Sequence, residues 1–412
     1  PDHDVVLEAS QVDQRRRSLI GYSAQATGCR GGCTDSDNRS TREAFSLSHT
    51  GRWAIGTSDT YVQRERAENE SREMVITNTS AKTSLVMPLG DHRLTLGADF
   101  IEEALSDKTS NRISDRTRID TAKYALFAED EWMLTDTFAL TAGARMDDDD
   151  DFGSHFSPRL YGVWGFSPRW TLKGGVSTGF RSPSLREITP DWGQVSRGGN
   201  IYGNPDLEPE TSVNKELGLY FNAGRDLQAN VTVFHNDFED KITRIACPIE
   251  ICTDGPNQFG SDPTYRVNVD EAVTQGVEAA LSTTFYRVLS LNLSYTYTDS
   301  EQKSGEYKGE PLNQLPEHLA SLQANWQATD TVSPWLTVRY RGKESQPTTG
   351  PSSSAIIAPS NTLVDAGVGF RTSPQAKLNT GIYNLADRKI FEDEYGYVED
   401  GRRYWLGGTG NF

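Results

Sequence analysis

The sequence predicts an all-β chain, an antiparallel up-and-down β-barrel crossing a membrane with about eighteen strands. Three observations predict it. Apolar and polar residues alternate with a period of two, connections are short and long in turn, and no segment sustains a 3.6-residue helical period.

In chain order, Trp170, Leu172, Gly174 and Val176 alternate with Thr171, Lys173, Gly175 and Ser177. Leu227, Ala229, Val231 and Val233 alternate with Gln228, Asn230 and Thr232. Leu289, Leu291, Leu293, Tyr295 and Tyr297 alternate with Ser290, Asn292, Ser294, Thr296 and Thr298. Each pattern gives a strand one apolar and one wet face. The ending, YWLGGTGNF, alternates too, and Tyr404, Leu406 and Phe412 share a parity expected to face lipid. This last strand is expected to close the barrel by pairing with the first, because an open edge cannot face hydrocarbon.

Connection lengths set the two rims. Links near 134–137, 166–170, 222–227, 284–288, 328–332 and 372–376 read as short. Stretches near 147–156, 180–211, 240–264, 299–316, 342–361 and 388–403 read as long. Earlier, 49–52 and 88–92 read as short, and 16–41, 66–72 and 107–118 as longer. Short periplasmic turns and long outer loops are the asymmetry of outer-membrane barrels. Aromatics near strand ends, among them Trp132, Trp164, Trp170, Phe221, Trp326 and Trp405, suit an interfacial girdle.

Composition excludes several function classes. The 412 residues are 35% hydrophobic with a formal net charge of −17, and the mean hydropathy is −0.60. No apolar run approaches the eighteen or so residues a membrane helix needs, which leaves a barrel open because its strands are apolar only at alternate positions. So acidic a chain is not expected to bind nucleic acid. The six histidines are scattered and no G-x-S-x-G or H-E-x-x-H occurs, so no catalytic residues are expected and the chain does not read as an enzyme. The four cysteines form two close pairs, Cys29 with Cys33 and Cys247 with Cys252. Two local disulfides in an oxidising compartment are the favoured reading, with reduced thiols or a shared metal site as alternatives. The acidic run MDDDDDFG (146–153) lacks the ligand spacing of an EF-hand calcium loop and reads as a solvated or lipopolysaccharide-facing loop. No resident cofactor or structural metal is expected.

Several stretches together resemble the TonB-dependent outer-membrane receptors, closest to catecholate ferric-siderophore receptors and the colicin I receptor. They are YALFAEDEWMLTDTFALTAGARMD (124–147), FGSHFSPRLYGVWGFSPRWTLKGGVSTGFRSPSLRE (152–187), GNPDLEPETSVNKELGLYF (203–221), NVTVFHNDFEDKI (230–242), YRVNVDEAVTQGVEAAL (265–281), YTYTDSEQKSGEYKGEPLNQLPEH (295–318), YNLADRKIF (383–391) and the terminal YWLGGTGNF. The resemblance covers most of 120–412; residues 1–118 follow the barrel pattern without a diagnostic segment. It implies localisation in the outer membrane of a Gram-negative bacterium and TonB-driven import of a ferric siderophore. It also implies twenty-two strands around an N-terminal plug that TonB pulls. Neither the plug nor the first few strands is recognised here, so residues 1–412 are expected to be the transmembrane barrel domain, incomplete at its N-terminus. The expected partners are the ferric siderophore, outer-membrane lipid and lipopolysaccharide, TonB through the plug, the barrel-assembly machinery that reads a terminal aromatic, and bacteriocins or phage. Haem or cobalamin as cargo, and a passive porin-like channel, are the alternatives.

A bulky, aromatic, anionic ferric catecholate calls for cations and aromatic faces. The stretch 180–211 supplies Arg181, Arg186, Trp192, Arg197 and Tyr202, and lumen-facing parity adds Lys173, with Arg145 and Arg159 on neighbouring strands. Within GNPDLEPETS, Pro205 and Pro209 are expected to stiffen the chain where it enters a strand near Val213.

Overall fold

The computed structural model describes residues 2–19, 35–109, 116–190, 199–224, 226–252, 255–257, 262–305, 308–312, 315–346, 356–390, 395 and 399–410. Nine strands come first: β1 (His3–Ser18), β2 (Ser36–Trp53), β3 (Gly56–Asn69), β4 (Met74–Leu89), β5 (His92–Asp107), β6 (Arg118–Thr135), β7 (Phe138–Asp149), β8 (Gly153–Ser167) and β9 (Trp170–Arg181). A four-residue helix, α1 (Leu185–Ile188), and the two-residue β10 (Ile201–Tyr202) follow inside a long connection. Six strands then continue the wall: β11 (Glu210–Asn222), β12 (Leu227–Ala246), β13 (Thr264–Phe285), β14 (Leu289–Gln302), β15 (His318–Trp326) and β16 (Val332–Arg341). The hairpin β17 (Glu344–Gln346) and β18 (Ile356–Ala358) precedes the last wall strands, β19 (Asn361–Ser373), β20 (Ala376–Tyr383) and β21 (Arg403–Gly410).

Wall strands pair antiparallel with their neighbours in sequence, β9 passing directly to β11 and β16 to β19. The expected eighteen-strand meander is present among the described residues. The exception to neighbour pairing is β10, which lies parallel to β13 with Ile201 opposite Thr264 and Tyr202 opposite Tyr265. The closing pair expected of the terminal strand is not formed among the described residues: β21 pairs with β20 and β1 with β2.

Turn lengths correct the reading at three places. The β2–β3 hairpin turns at residues 54–55 rather than 49–52, with Gly56 at φ 154° packed on the carbonyl of Val86. Strand β3 runs to Asn69, and β7 runs to Asp149 with β8 starting at Gly153, so the links there are short. The cause is register: cross-strand pairing carries these hairpins past the band that the apolar alternation marks.

Register also separates the two faces. Leu217 lies opposite Val233 and Gly174, and Gly174 opposite Gly162, while Leu219 lies opposite Val231 and Leu172. Leu126, Leu160, Leu217, Val231, Tyr404 and Leu406 are exposed on this apolar face, the one that meets lipid. The opposite face lines the lumen and carries the Arg145–Asp99, Arg159–Glu129 and Lys82–Asp99 ion pairs.

Candidate functional site

The lumenal wall over β4–β11 carries a stripe in which cations stand over aromatic rings. Lys82 Nζ lies 5.2 Å from the Phe127 ring centroid and the Arg145 guanidinium 5.9 Å from the same ring. Arg159 stands 5.5 Å over Tyr161 and Lys173 4.6 Å over Tyr220. Glycine makes the stripe possible. A Cβ on Gly97 would lie 2.2 Å from the Phe127 ring, and one on Gly175 2.6 Å from Tyr161. The rings therefore occupy the space that a side chain would take on the neighbouring strand, within reach of the cations. Such contacts contribute about 0.5–1 kcal/mol at exposed sites and more when water is excluded.

The cations differ in how far carboxylates already neutralise them. Arg145 is bridged to Asp99 and, at 2.9 Å, to Asp147. Arg159 lies 3.3 Å from Glu129, and Lys82 3.9 Å from Asp99. Lys173 makes no ion pair among the described residues. It offers an ammonium and a ring face together, the pairing that an anionic aromatic ligand needs.

Above the stripe, the connection between β9 and β11 folds onto the lumenal rim. Leu185 of α1 packs with Leu105 and Ile119, with Met74 and Ile76 alongside. Three polar latches fix it. Arg186 reaches Asp107, 1% exposed, at 3.0 Å. Ser182 donates to Asp149 at 2.6 Å, and Lys123 meets the same carboxylate at 3.0 Å. Glu187 accepts from the Ser184 amide at 2.8 Å and from Arg266 at 2.7 Å, with Arg181 at 3.5 Å and also bridged to Glu210.

Burial pushes the Glu187 carboxyl up, but the Ser184 amide and the Arg266 and Arg181 guanidiniums outweigh it and hold it below its ordinary value. A carboxyl lowered by folding contributes stability that is complete above the unfolded value of 4.5 and lost as pH falls through the folded value. The protection factors of amides within residues 201–208, which remove the base-catalysed pH dependence of exchange itself, are therefore expected to be constant from pH 6 to about 4.5 and to fall below it. Protection already falling between pH 6 and 5 would count against the latch.

The structure sorts the sequence-derived residues. Lys173 sits on the stripe with Arg145 and Arg159. Arg181 is half exposed at the rim but engaged by Glu210 and Glu187. Arg186 and Tyr202 are engaged within the fold: Arg186 reaches Asp107, and Tyr202 is 1% exposed. Their physical role is to hold the loop, since a buried guanidinium keeps its carboxylate and a buried ring its packing. Trp192, Arg197, Cys29 and Cys33 lie outside the described residues. Cys247 and Cys252 are joined by a disulfide with Cα atoms 5.9 Å apart. The acidic run is corrected in part: Asp149 is 3% exposed and is a latch, not a solvated loop carboxylate.

GNPDLEPETS is structural, as expected, although the strand it enters begins at Glu210. Asn204 donates to the carbonyl of Arg266 at 3.0 Å, and Asn268 receives the Glu208 amide and returns a bond to its carbonyl, both at 2.9 Å. Phe127, Tyr161 and Tyr220 were missed as site residues. The signal that could have found them is an aromatic and a glycine at lumenal parity on adjacent strands.

A family model described as "TonB dependent receptor-like, beta-barrel" matches residues 10–385. The iron-regulated outer membrane virulence protein of Vibrio cholerae serotype O1 is 56% identical over 408 residues, 99% of this chain and 63% of its own length. The ferric enterobactin receptor of Pseudomonas aeruginosa is 29% identical over 91% of this chain and 59% of its length. A crystal structure of a variant of that ferric enterobactin receptor in complex with enterobactin superposes with a TM-score of 0.78 at 25% identity, over 91% of this chain and 63% of that one. The chain thus spans about three-fifths of the length of these relatives.

Proposed function

The chain belongs to the family of TonB-dependent outer-membrane receptors, and on that premise we propose that the protein imports a ferric siderophore of the catecholate type. The family consists of transport receptors, and the barrel resides in the outer membrane. The observation that carries the finer reading is the lumenal stripe, where Lys173, Arg159, Arg145 and Lys82 stand over aromatic faces. A triscatecholate complex is anionic outside and aromatic throughout, so it exchanges readily between such pairs. Relatives named as ferric enterobactin receptors support this cargo.

Within this proposal the cargo passes from the outer loops, with Arg181, Trp192 and Arg197 as first contacts, to Lys173 and Tyr220 on the wall. Arg186 and Tyr202 position the loop. A plug with its TonB-contacting segment, outside these 412 residues, supplies the pull.

The test is the affinity of the natural full-length protein for ferric enterobactin, followed by tryptophan fluorescence. Lys173→Ala with Tyr220→Leu is expected to weaken binding about tenfold, equivalent to about 1.4 kcal/mol, with Arg145→Gln affecting it less. Unchanged affinity in the double variant would remove the stripe from the site.

A further inference from the structure

The lipid-facing side of the same strands carries a groove of about 720 Å³. Its floor opens at Gly162, where a Cβ would meet nothing closer than the Phe138 ring at 3.4 Å, while the Leu217 side chain leans over Gly174, its partner in register. Trp164, Leu172, Leu217 and Val233 wall it, all on the apolar face. One row nearer the long-loop rim, Lys215 and His235 lie opposite each other and also line it.

That polar end is set deep. Seven residues separate Lys215 from Asn222 at the short-turn end of β11, which is about 18 Å of height for a tilted strand, inside an apolar band about 25 Å tall. On the strands to one side the same row is apolar, Val176 and Leu160. On the other side the polar groups satisfy one another. His235 Nε2 is 2.9 Å from Asp237 and its Nδ1 3.2 Å from Gln275 Oε1, and Gln275 donates to Asp299 at 3.0 Å. Lys215 differs. It gives one N–H to Asp237 at 2.8 Å, and its other two have no acceptor among the described residues. An ammonium with spare donors facing hydrocarbon is costly unless the medium supplies acceptor oxygens at that height.

We propose that this groove binds a phosphate-bearing acyl lipid of the outer leaflet, one chain lying over Gly162 between Trp164 and Leu217 and the phosphate accepting from Lys215. Both halves of the site call for an amphipathic anion: an apolar slot opened by the missing side chain at Gly162, ending in a lysine with two donors unmet among the described residues. The proposal stands apart from the lumenal reading, since these residues point away from the stripe.

The test is native mass spectrometry of the natural full-length protein in detergent, with palmitoyl-oleoyl phosphatidylglycerol as the probe. One retained lipid is expected, with at least a fivefold smaller bound fraction in Lys215→Gln and in Gly162→Leu, and recovery in Lys215→Arg. A side chain at Gly162 meets nothing closer than the Phe138 ring at 3.4 Å, so it enters the groove without disturbing the backbone. Heat-modifiable migration in gels certifies that each variant is folded. Equal retention in Lys215→Gln overturns the headgroup contact, and retention of inorganic phosphate as strongly as lipid overturns the acyl slot. A dimer that Gly162→Leu dissolves, with no lipid bound, would reassign the groove to a second copy.

Discussion

Replacing Glu187 by alanine is expected to release residues 182–190 and 199–209 from the lumenal rim while leaving the wall folded. Among the described residues, Glu187 is the only acceptor of the Arg266 guanidinium, which is 18% exposed. Removing one member of such a pair leaves an uncompensated charge and costs about 3–5 kcal/mol. The same carboxylate takes the Ser184 amide that starts α1 and lies near Arg181, so three constraints fail together. Limited proteolysis should cut the loop at least tenfold faster, with unchanged heat-modifiable migration. Glu187→Leu combined with Arg266→Met should restore most of the protection, because apolar replacement of both partners avoids the buried charge. Normal protection in the single variant would mean that Leu185 and the Arg186–Asp107 bridge suffice alone.

Gly175→Val is expected to prevent assembly of the wall itself. Its Cβ would stand 2.3 Å from the carbonyl oxygen of Leu160 and 2.8 Å from the Cα of Tyr161, both backbone of the paired strand. Those atoms are held by the β8–β9 ladder and cannot yield by a rotamer change. The yield of heat-modifiable barrel should fall at least about tenfold, an effect of overpacking plus a lost ladder. Gly162→Ala, one row away on the opposite face, meets only ordinary contacts and should assemble normally. Equal yields for the two variants would show that the strands separate enough to absorb a side chain.

These two glycines show where sequence reading succeeds and where it stops. Alternation alone placed Leu172 and Val176 on one face and Lys173 on the other, because side-chain direction in a strand depends only on parity. Parity says nothing of what lies across the strand. That Tyr161 covers Gly175, or that Gly162 meets Gly174, depends on inter-strand register, which turn geometry fixes far along the chain. The partner of Arg186 lay beyond local pattern for a related reason. A cation in a polar loop reads as available until the fold brings Asp107, distant in sequence, to its side. The acidic run was read by composition, yet one of its carboxylates, Asp149, is buried because β7 continues through it. Strand identity was therefore legible from local pattern, and the partners of charged groups were not.

The parallel bridge between Ile201–Tyr202 and Thr264–Tyr265 implies an order of events during maturation. Joining those points in a free chain would close a loop of about sixty residues, at an entropic cost of about 4 kcal/mol. Once β9, β11, β12 and β13 have zipped as hairpins, the ends are already neighbours and most of that cost has been met. The bridge is thus a late snap rather than a nucleus. It can open and reclose as a separate cooperative unit while the wall stays intact.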